Sequence, residues 1–143
     1  MKKIDLSSWK RKEHFEFFSK MDSPIFGIVT EVDCDECYKN SKETGKSFFA
    51  NYLHKSMIAV NAVNELKYRI IDNEIIAFEK IHAGITIARE DETFGFGFVN
   101  FSQDFDTFNA ELNNEILEVK NCSGFNLFML IFHHSGEGAL LYA

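Results

Sequence analysis

The clearest periodic pattern in this chain lies between Phe48 and Glu65. Apolar residues return there every three or four positions, which places them on one face of a long helix. These residues are Phe48, Phe49, Tyr52, Leu53, Ile58, Ala59, Ala62, Val63 and Leu66. A second amphipathic helix is predicted after Asp104, a residue type favoured at helix N-termini. Its apolar positions are Phe108, Leu112, Ile116 and Val119.

Shorter apolar runs predict β-strands between these helices and before them. The predicted strands are 25–32, 68–71, 75–78, 85–88 and 94–101. Asp72-Asn73-Glu74 separates the second run from the third and has the polar composition of a hairpin turn. The first run follows Pro24, the only proline, and is rich in β-branched residues.

The last of these strands has an unusual composition. Phe94, Phe96 and Phe98 alternate with Gly95 and Gly97. Successive side chains of a strand point to opposite faces, so the rings share one face and the other is bare. A bare strand face allows close approach by another backbone or a ligand.

Two further helices are predicted from their end signals. Ser7 or Ser8 can cap a helix that reaches about Lys20, and Asp33 or Asp35 can cap a short polar helix that ends at Gly45. Helices and strands are therefore mixed without strict βαβ alternation. This order predicts an α+β fold, with helices packed on a mixed β-sheet, in one domain over residues 1–143.

Composition and charge exclude several classes of partner. The net charge is −7 and no basic stripe is visible, which argues against nucleic acid and anionic membranes. The longest apolar run, residues 125–132, is too short to span a bilayer. Residues 1–5 lack the apolar stretch of a signal peptide, so a cytoplasmic protein is expected.

Two short motifs suggest chemistry but lack required partners. Glu43-Thr44-Gly45-Lys46-Ser47 resembles the end of a phosphate-binding loop, but Asn40 stands where that loop needs glycine. Cys34 and Cys37 have the spacing of a zinc half-site, and the third cysteine, Cys122, has no second pair beside it. We therefore expect ordinary thiols and no metal.

The segment from Trp9 to Phe18 carries the most specific pattern. Its sequence, Trp-Lys-Arg-Lys-Glu-His-Phe-Glu-Phe-Phe, closely resembles the N-terminal signature of the chloramphenicol acetyltransferase family. The similarity continues in order through Ala62-Val63-Asn64-Glu65-Leu66, then 69–79, 92–94 and 104–108. It covers about Ile4 to Asn121, and the family's CoA-dependent acyltransferase fold is expected over that stretch.

This resemblance implies an activity and several site residues. Members of the family transfer acetyl from acetyl-CoA to a hydroxyl of chloramphenicol, which confers antibiotic resistance, and they assemble as homotrimers. Arg11 matches the arginine that pairs with the aspartate of the catalytic motif. Phe17 and Phe18 match residues that line the antibiotic pocket, and Phe94 matches a residue of the pocket wall.

The resemblance stops before the family's catalytic base, so the domain is expected to be incomplete, with a divergent tail at 122–143. That base belongs to a His-His-x-x-x-Asp-Gly motif, and the tail contains His133-His134-Ser135-Gly136-Glu137-Gly138. His133 is the candidate base, because Glu137 and Gly138 follow it at the motif's spacing. The alternative is a non-catalytic remnant that oligomerises or binds hydrophobic ligands.

An incomplete domain has two expected consequences. Acetyl transfer by this chain should be slight without the rest of the catalytic motif. A strand edge beside 94–101 should also be left unpaired, and an unpaired edge favours association or poor solubility.

Overall fold

The computed structural model describes residues 1–25, 27–124 and 138–140. Helices and strands are mixed along the chain, and the predicted α+β class is confirmed. The elements are β1 (Lys2–Lys3), α1 (Lys12–Phe18), α2 (Asp35–Thr44), α3 (Phe48–Ala62), a 3₁₀ helix (Asn64–Lys67), β2 (Tyr68–Ile71), β3 (Glu74–Ala77), β4 (His82–Ala88), β5 (Phe94–Val99), α4 (Phe105–Asn121) and β6 (Gly138–Leu140).

The strands form two three-stranded sheets. The first has the order β1-β3-β2 and is antiparallel throughout. The second has the order β5-β4-β6, in which β4 is antiparallel to β5 and parallel to β6. The second sheet is therefore mixed, as predicted.

The core lies where α3 and α4 pack against the second sheet. Leu53 and Met57 from α3, Ile85 from β4, and Phe108 and Leu112 from α4 are almost fully buried. The apolar stripes that predicted the two helices therefore supply this core, and burial of each large side chain stabilises the fold by about 1.5–3 kcal/mol.

Local signals set the start of α4 and the end of α2 as predicted, whereas the N-cap residue of α2 is Cys34 and not Asp33 or Asp35. The Asp104 carboxylate accepts a hydrogen bond from the Thr107 backbone N–H, at 2.8 Å, and caps α4. The side-chain and backbone hydrogen bonds from Thr107 lower the pKa of Asp104. Gly45 ends α2 in the left-handed region, with φ of 68°.

The predicted hairpin forms between β2 and β3. Asp72 and Asn73 both have positive φ, at 51° and 61°. That pair of angles is typical of a tight two-residue hairpin turn, and it is tolerated best by glycine, asparagine and aspartate.

The first helix begins later than predicted, at Lys12 and not after Ser7 or Ser8. The hydroxyls of both serines bond the Asp5 carboxylate instead, at 2.7 and 3.1 Å. These bonds form a local turn that competes with helix initiation, as serine and aspartate side chains commonly do.

The strand predicted at 25–32 is wrong for the residues that are described there. The structure assigns no strand at Ile25 or at 27–32, and Val29 is 98% exposed. β-Branched residues favour a strand when a neighbouring strand and a buried face are available. The described part of the chain provides neither beside this segment.

A short strand forms where the sequence predicted none. Gly138–Leu140 pairs with His82–Gly84 of β4, although three residues carry too little pattern to predict a strand. Across the described ranges, no helix combines the length and the apolar composition that crossing a bilayer requires.

Candidate functional site

The segment from Trp9 to Phe18, which carries the family signature, is attached to the first sheet by aromatic contacts. The Trp9 ring lies edge-on to Phe15 of α1 and to Tyr68 of β2, with both centroid separations at 6.4 Å. Helix α1 itself contributes no buried residue. Trp9 is therefore a main anchor that fixes this helix beside β2.

Arg11, the N-cap residue of α1, forms a second attachment. Its guanidinium Nη2 lies 3.1 Å from Glu65 Oε1, in the 3₁₀ helix. Both side chains are exposed, and a pair of this kind contributes at most about 1 kcal/mol to stability. Its main effect is to orient the arginine. Glu137, which the sequence spacing predicts at the carboxylate position of the motif, lies outside the described residues.

The C-terminal end of α1 presents two phenylalanine rings to solvent. Phe17 and Phe18 are 61% and 50% exposed. Their rings meet at 87° with centroids 5.3 Å apart, which is a favourable edge-to-face geometry. Rigid aromatic groups of this kind suit a surface that binds an apolar, aryl-bearing molecule.

Phe94 lies on the second sheet, at the start of β5, and is 45% exposed. Its ring packs edge-on against Phe96, with centroids 5.5 Å apart. No ring contact joins Phe94 to Phe17 or Phe18 in the ranges that the structure describes. The predicted binding residues therefore form an aromatic pair on α1 and an aromatic strand face on β5.

The expected close approach to the glycine face of β5 occurs, but side chains make it where another backbone or a ligand was expected. A methyl group at Gly97 would lie 2.8 Å from Glu115 Cγ and 3.2 Å from Ile85 Cγ1. At Gly95 it would lie 2.7 Å from Val119 Cγ1. Both glycines are thus needed for α4 to pack on this sheet.

The outer edge of β5 also has partners. The Phe98 backbone N–H donates to Glu115 Oε1 at 2.9 Å, and the Asn100 N–H donates to Glu111 Oε1 at 2.7 Å. Among the described residues β5 has no strand on this side, as expected, and side chains bond these two backbone N–H groups instead. Burial raises the pKa of Glu115, and the neighbouring carboxylates of Glu118 and Glu111 add to this, while the Phe98 N–H opposes it.

Two of the three described histidines have structural contacts. His54 is buried among aromatic rings, and its Nε2 donates to the Ser102 carbonyl at 3.0 Å. His82 Nδ1 accepts the Phe101 backbone N–H, also at 3.0 Å. His14 is exposed on α1. The candidate base, His133, lies outside the described residues.

The cysteines are free thiols. Cys34 precedes α2 and Cys37 lies in its first turn, at the helix start where ordinary thiols were expected. Within the described ranges, no group of three or more histidine, cysteine or acidic residues is arranged to hold a metal ion.

Sequence reasoning missed Arg89, Glu111 and Glu115. The spacing of the two glutamates, four residues apart on a predicted helix, places them on one helix face and could have indicated a joint role. Nothing in the sequence around Arg89 indicates its shortest contacts, because these are with the backbone carbonyls of Val119 and Gly124, 30 and 35 residues away.

The family model for chloramphenicol acetyltransferase matches residues 1–129, so the chain belongs to this family. The match continues past Asn121, where the resemblance was expected to end. A solved structure of a chloramphenicol acetyltransferase superposes with a TM-score of 0.87 and 29% identity, covering 99% of this chain and 69% of that one. The expected fold is thereby confirmed.

Curated relatives show the same similarity at lower coverage. A chloramphenicol acetyltransferase of Proteus mirabilis is 27% identical over 116 residues, which are 80% of this chain and 54% of the relative. Chloramphenicol acetyltransferase 3 of Escherichia coli is 29% identical over 107 residues, or 74% of this chain and 50% of the relative. The chain spans about half the length of these relatives.

Proposed function

We propose that this chain provides the acceptor-binding side of an acetyl-CoA-dependent O-acetyltransferase, which acetylates chloramphenicol or a similar hydroxyl-bearing aromatic molecule. Family membership over residues 1–129 supports the reaction class. The observation that carries the proposal for the acceptor is the exposed Phe17–Phe18 pair on the signature helix. The proposed setting is a cytoplasmic homotrimer that confers antibiotic resistance.

The proposed reaction needs one proton acceptor. A base removes the hydroxyl proton of the acceptor as its oxygen attacks the thioester carbonyl of acetyl-CoA. A carbon–oxygen bond forms, the carbon–sulfur bond breaks, and the departing thiolate of CoA takes up the proton. We assign the base to His133 from its motif spacing, and a supporting role to Arg11, which is oriented by Glu65.

A second candidate function is binding of hydrophobic ligands without turnover. The observation that favours it is the engagement of His54 and His82 in structural hydrogen bonds. Neither ring nitrogen in those bonds is available to a substrate hydroxyl, whereas the exposed aromatic residues can still bind an apolar molecule.

A thiol-release assay with acetyl-CoA and chloramphenicol separates the two functions. The first predicts that whatever turnover the chain shows, even if slight, is abolished in His133→Ala, since loss of a general base costs about 10²–10⁴-fold. His134→Ala is the matched control and should keep most activity. Equal losses in both variants would contradict the assignment of His133. Chloramphenicol binding without thiol release would support the second function.

A further inference from the structure

Arg89 forms a hydrogen-bonded connection between three parts of the chain. Its Nε donates to the Val119 carbonyl at 2.8 Å, and its Nη2 donates to the Gly124 carbonyl at 2.8 Å. Its Nη1 donates to the Phe94 carbonyl at 3.1 Å and, more weakly, to Thr93 Oγ1 at 3.4 Å. One guanidinium thus joins the β4–β5 hairpin to the C-terminal end of α4 and to the residues that follow it.

The chemistry of these contacts requires arginine. All three carbonyls accept hydrogen bonds, and only a planar guanidinium offers five fixed N–H donors in different directions. Val119 lies in the last turn of α4, where backbone carbonyls lack helical partners and the helix dipole attracts a cation. Lysine would keep the charge but would lose the simultaneous contacts.

Gly95 makes room for this arrangement. A methyl group there would lie 2.5 Å from Arg89 Nη2, a separation that would force the guanidinium to move. Gly95 therefore leaves the space that the Arg89 guanidinium occupies. The hydrogen bond from Arg89 to the Phe94 carbonyl depends on both residues.

We propose that Arg89 is a positioning residue, which holds the Phe94 backbone against the end of α4 and so fixes the aromatic face of β5 for the acceptor. The proposal rests on the proposed function, because it assigns acceptor binding to Phe94. Arg89 acts through Phe94 and not by touching the acceptor.

The test uses the full chain with two readouts, the ¹H–¹⁵N signal of the Gly95 amide and the Kd for chloramphenicol by calorimetry. The Gly95 N–H shares its peptide group with the Phe94 carbonyl, so it reports loss of that hydrogen bond. We expect Arg89→Ala and Arg89→Lys to shift this signal and to raise Kd about tenfold, as loss of a charge-assisted bond predicts. Arg89→Lys provides a folded comparison if Arg89→Ala does not fold.

The matched control is Lys120→Ala, which removes a positive charge at the same end of α4 and should change neither readout. Two results would overturn the proposal. One is a folded Arg89 variant whose Gly95 signal does not shift. The other is a folded Arg89 variant whose Kd for chloramphenicol equals that of the wild type, when the wild type binds. A wild type that does not bind chloramphenicol would contradict the proposed function itself. The Gly95 signal distinguishes the two failures, because it needs no ligand.

Discussion

At the scale of single residues, the carboxylates of α4 determine how β5 is held. Glu115 accepts the backbone N–H of Phe98 in β5, and Glu111 accepts that of Asn100, the residue directly after the strand. A hydrogen bond to a charged group contributes about 1.5–3 kcal/mol when shielded from water and less when exposed, so the part-buried bond to Phe98 stabilises the strand more than the exposed bond to Asn100. They require one carboxylate, that of Glu115, to be partly removed from water.

The partial burial of Glu115 therefore predicts that the stability of the protein depends on pH. Its folded pKa is raised above the ordinary value of 4.5 by burial, so folding favours the protonated form. The contribution of Glu115 to the free energy of unfolding is fully present below pH 4.5 and is lost as pH rises through the raised pKa. Glutamine does not ionise, so the Tm of Glu115→Gln should increase relative to the Tm of wild type as pH rises from acidic to neutral.

Thermal melts of both proteins across that pH range check this prediction. Glu31→Gln is the control, because it makes the same substitution at an exposed side chain far from β5 in the sequence. A difference in Tm between Glu115→Gln and wild type that stays constant with pH would contradict the assigned cause.

At the scale of elements, one side-chain amide connects helix α3 to the second sheet. Asn61, in the last turn of α3, donates from Nδ2 to the Ile81 carbonyl at 2.9 Å and accepts the Ile81 N–H at 2.8 Å. Ile81 is fully buried and directly precedes β4. The amide thus satisfies both backbone groups of a buried residue between two elements.

Asn61→Ala should lower the free energy of unfolding by about 1–3 kcal/mol, because it leaves a buried N–H and carbonyl without partners. Urea denaturation measures this change. Asn113→Ala, at an exposed position of α4, is the control and should change stability by no more than about 0.5 kcal/mol. Equal effects of both substitutions would show that the Ile81 contact adds nothing to stability.

The elements that the sequence predicted are those with local signals. The stripes of α3 and α4, the cap at Asp104 and the turn at Asp72-Asn73 each depend on a few adjacent residues. The strand expected at 25–32 failed because strand formation depends on a distant partner, which composition does not reveal. The contacts of Arg89 were equally unpredictable, because every residue has a backbone carbonyl and the sequence does not show which of them accepts a side-chain hydrogen bond.

At the scale of the whole molecule, the core and the exposed apolar surface are distinct. The core gathers residues of α3, α4 and both sheets, whereas Ile25, Ile28, Val29 and Val32 are exposed. Contiguous exposed apolar residues favour association with other surfaces. Any tendency of the chain to self-associate is therefore expected to involve this segment, because Glu111 and Glu115 already bond part of the β5 edge.

Replacing Ile28 and Val29 with threonine tests this expectation. The double variant should unfold within about 0.5 kcal/mol of wild type, since exposed side chains contribute little to folding. It should also associate less, as measured by light scattering at matched concentration. Destabilisation by more than about 2 kcal/mol would show that these side chains are packed in solution.

Acceptor binding by the aromatic pair of α1 is the central claim about function, and equilibrium binding of chloramphenicol tests it most directly. Quenching of Trp9 fluorescence gives the Kd, because this single tryptophan anchors the same segment. We predict saturable binding by wild type and a Kd raised at least about tenfold in Phe17→Ala/Phe18→Ala, since each lost aromatic contact costs on the order of 1 kcal/mol or more. Binding that is equal in wild type and in the double variant, or undetectable in both, would contradict the claim.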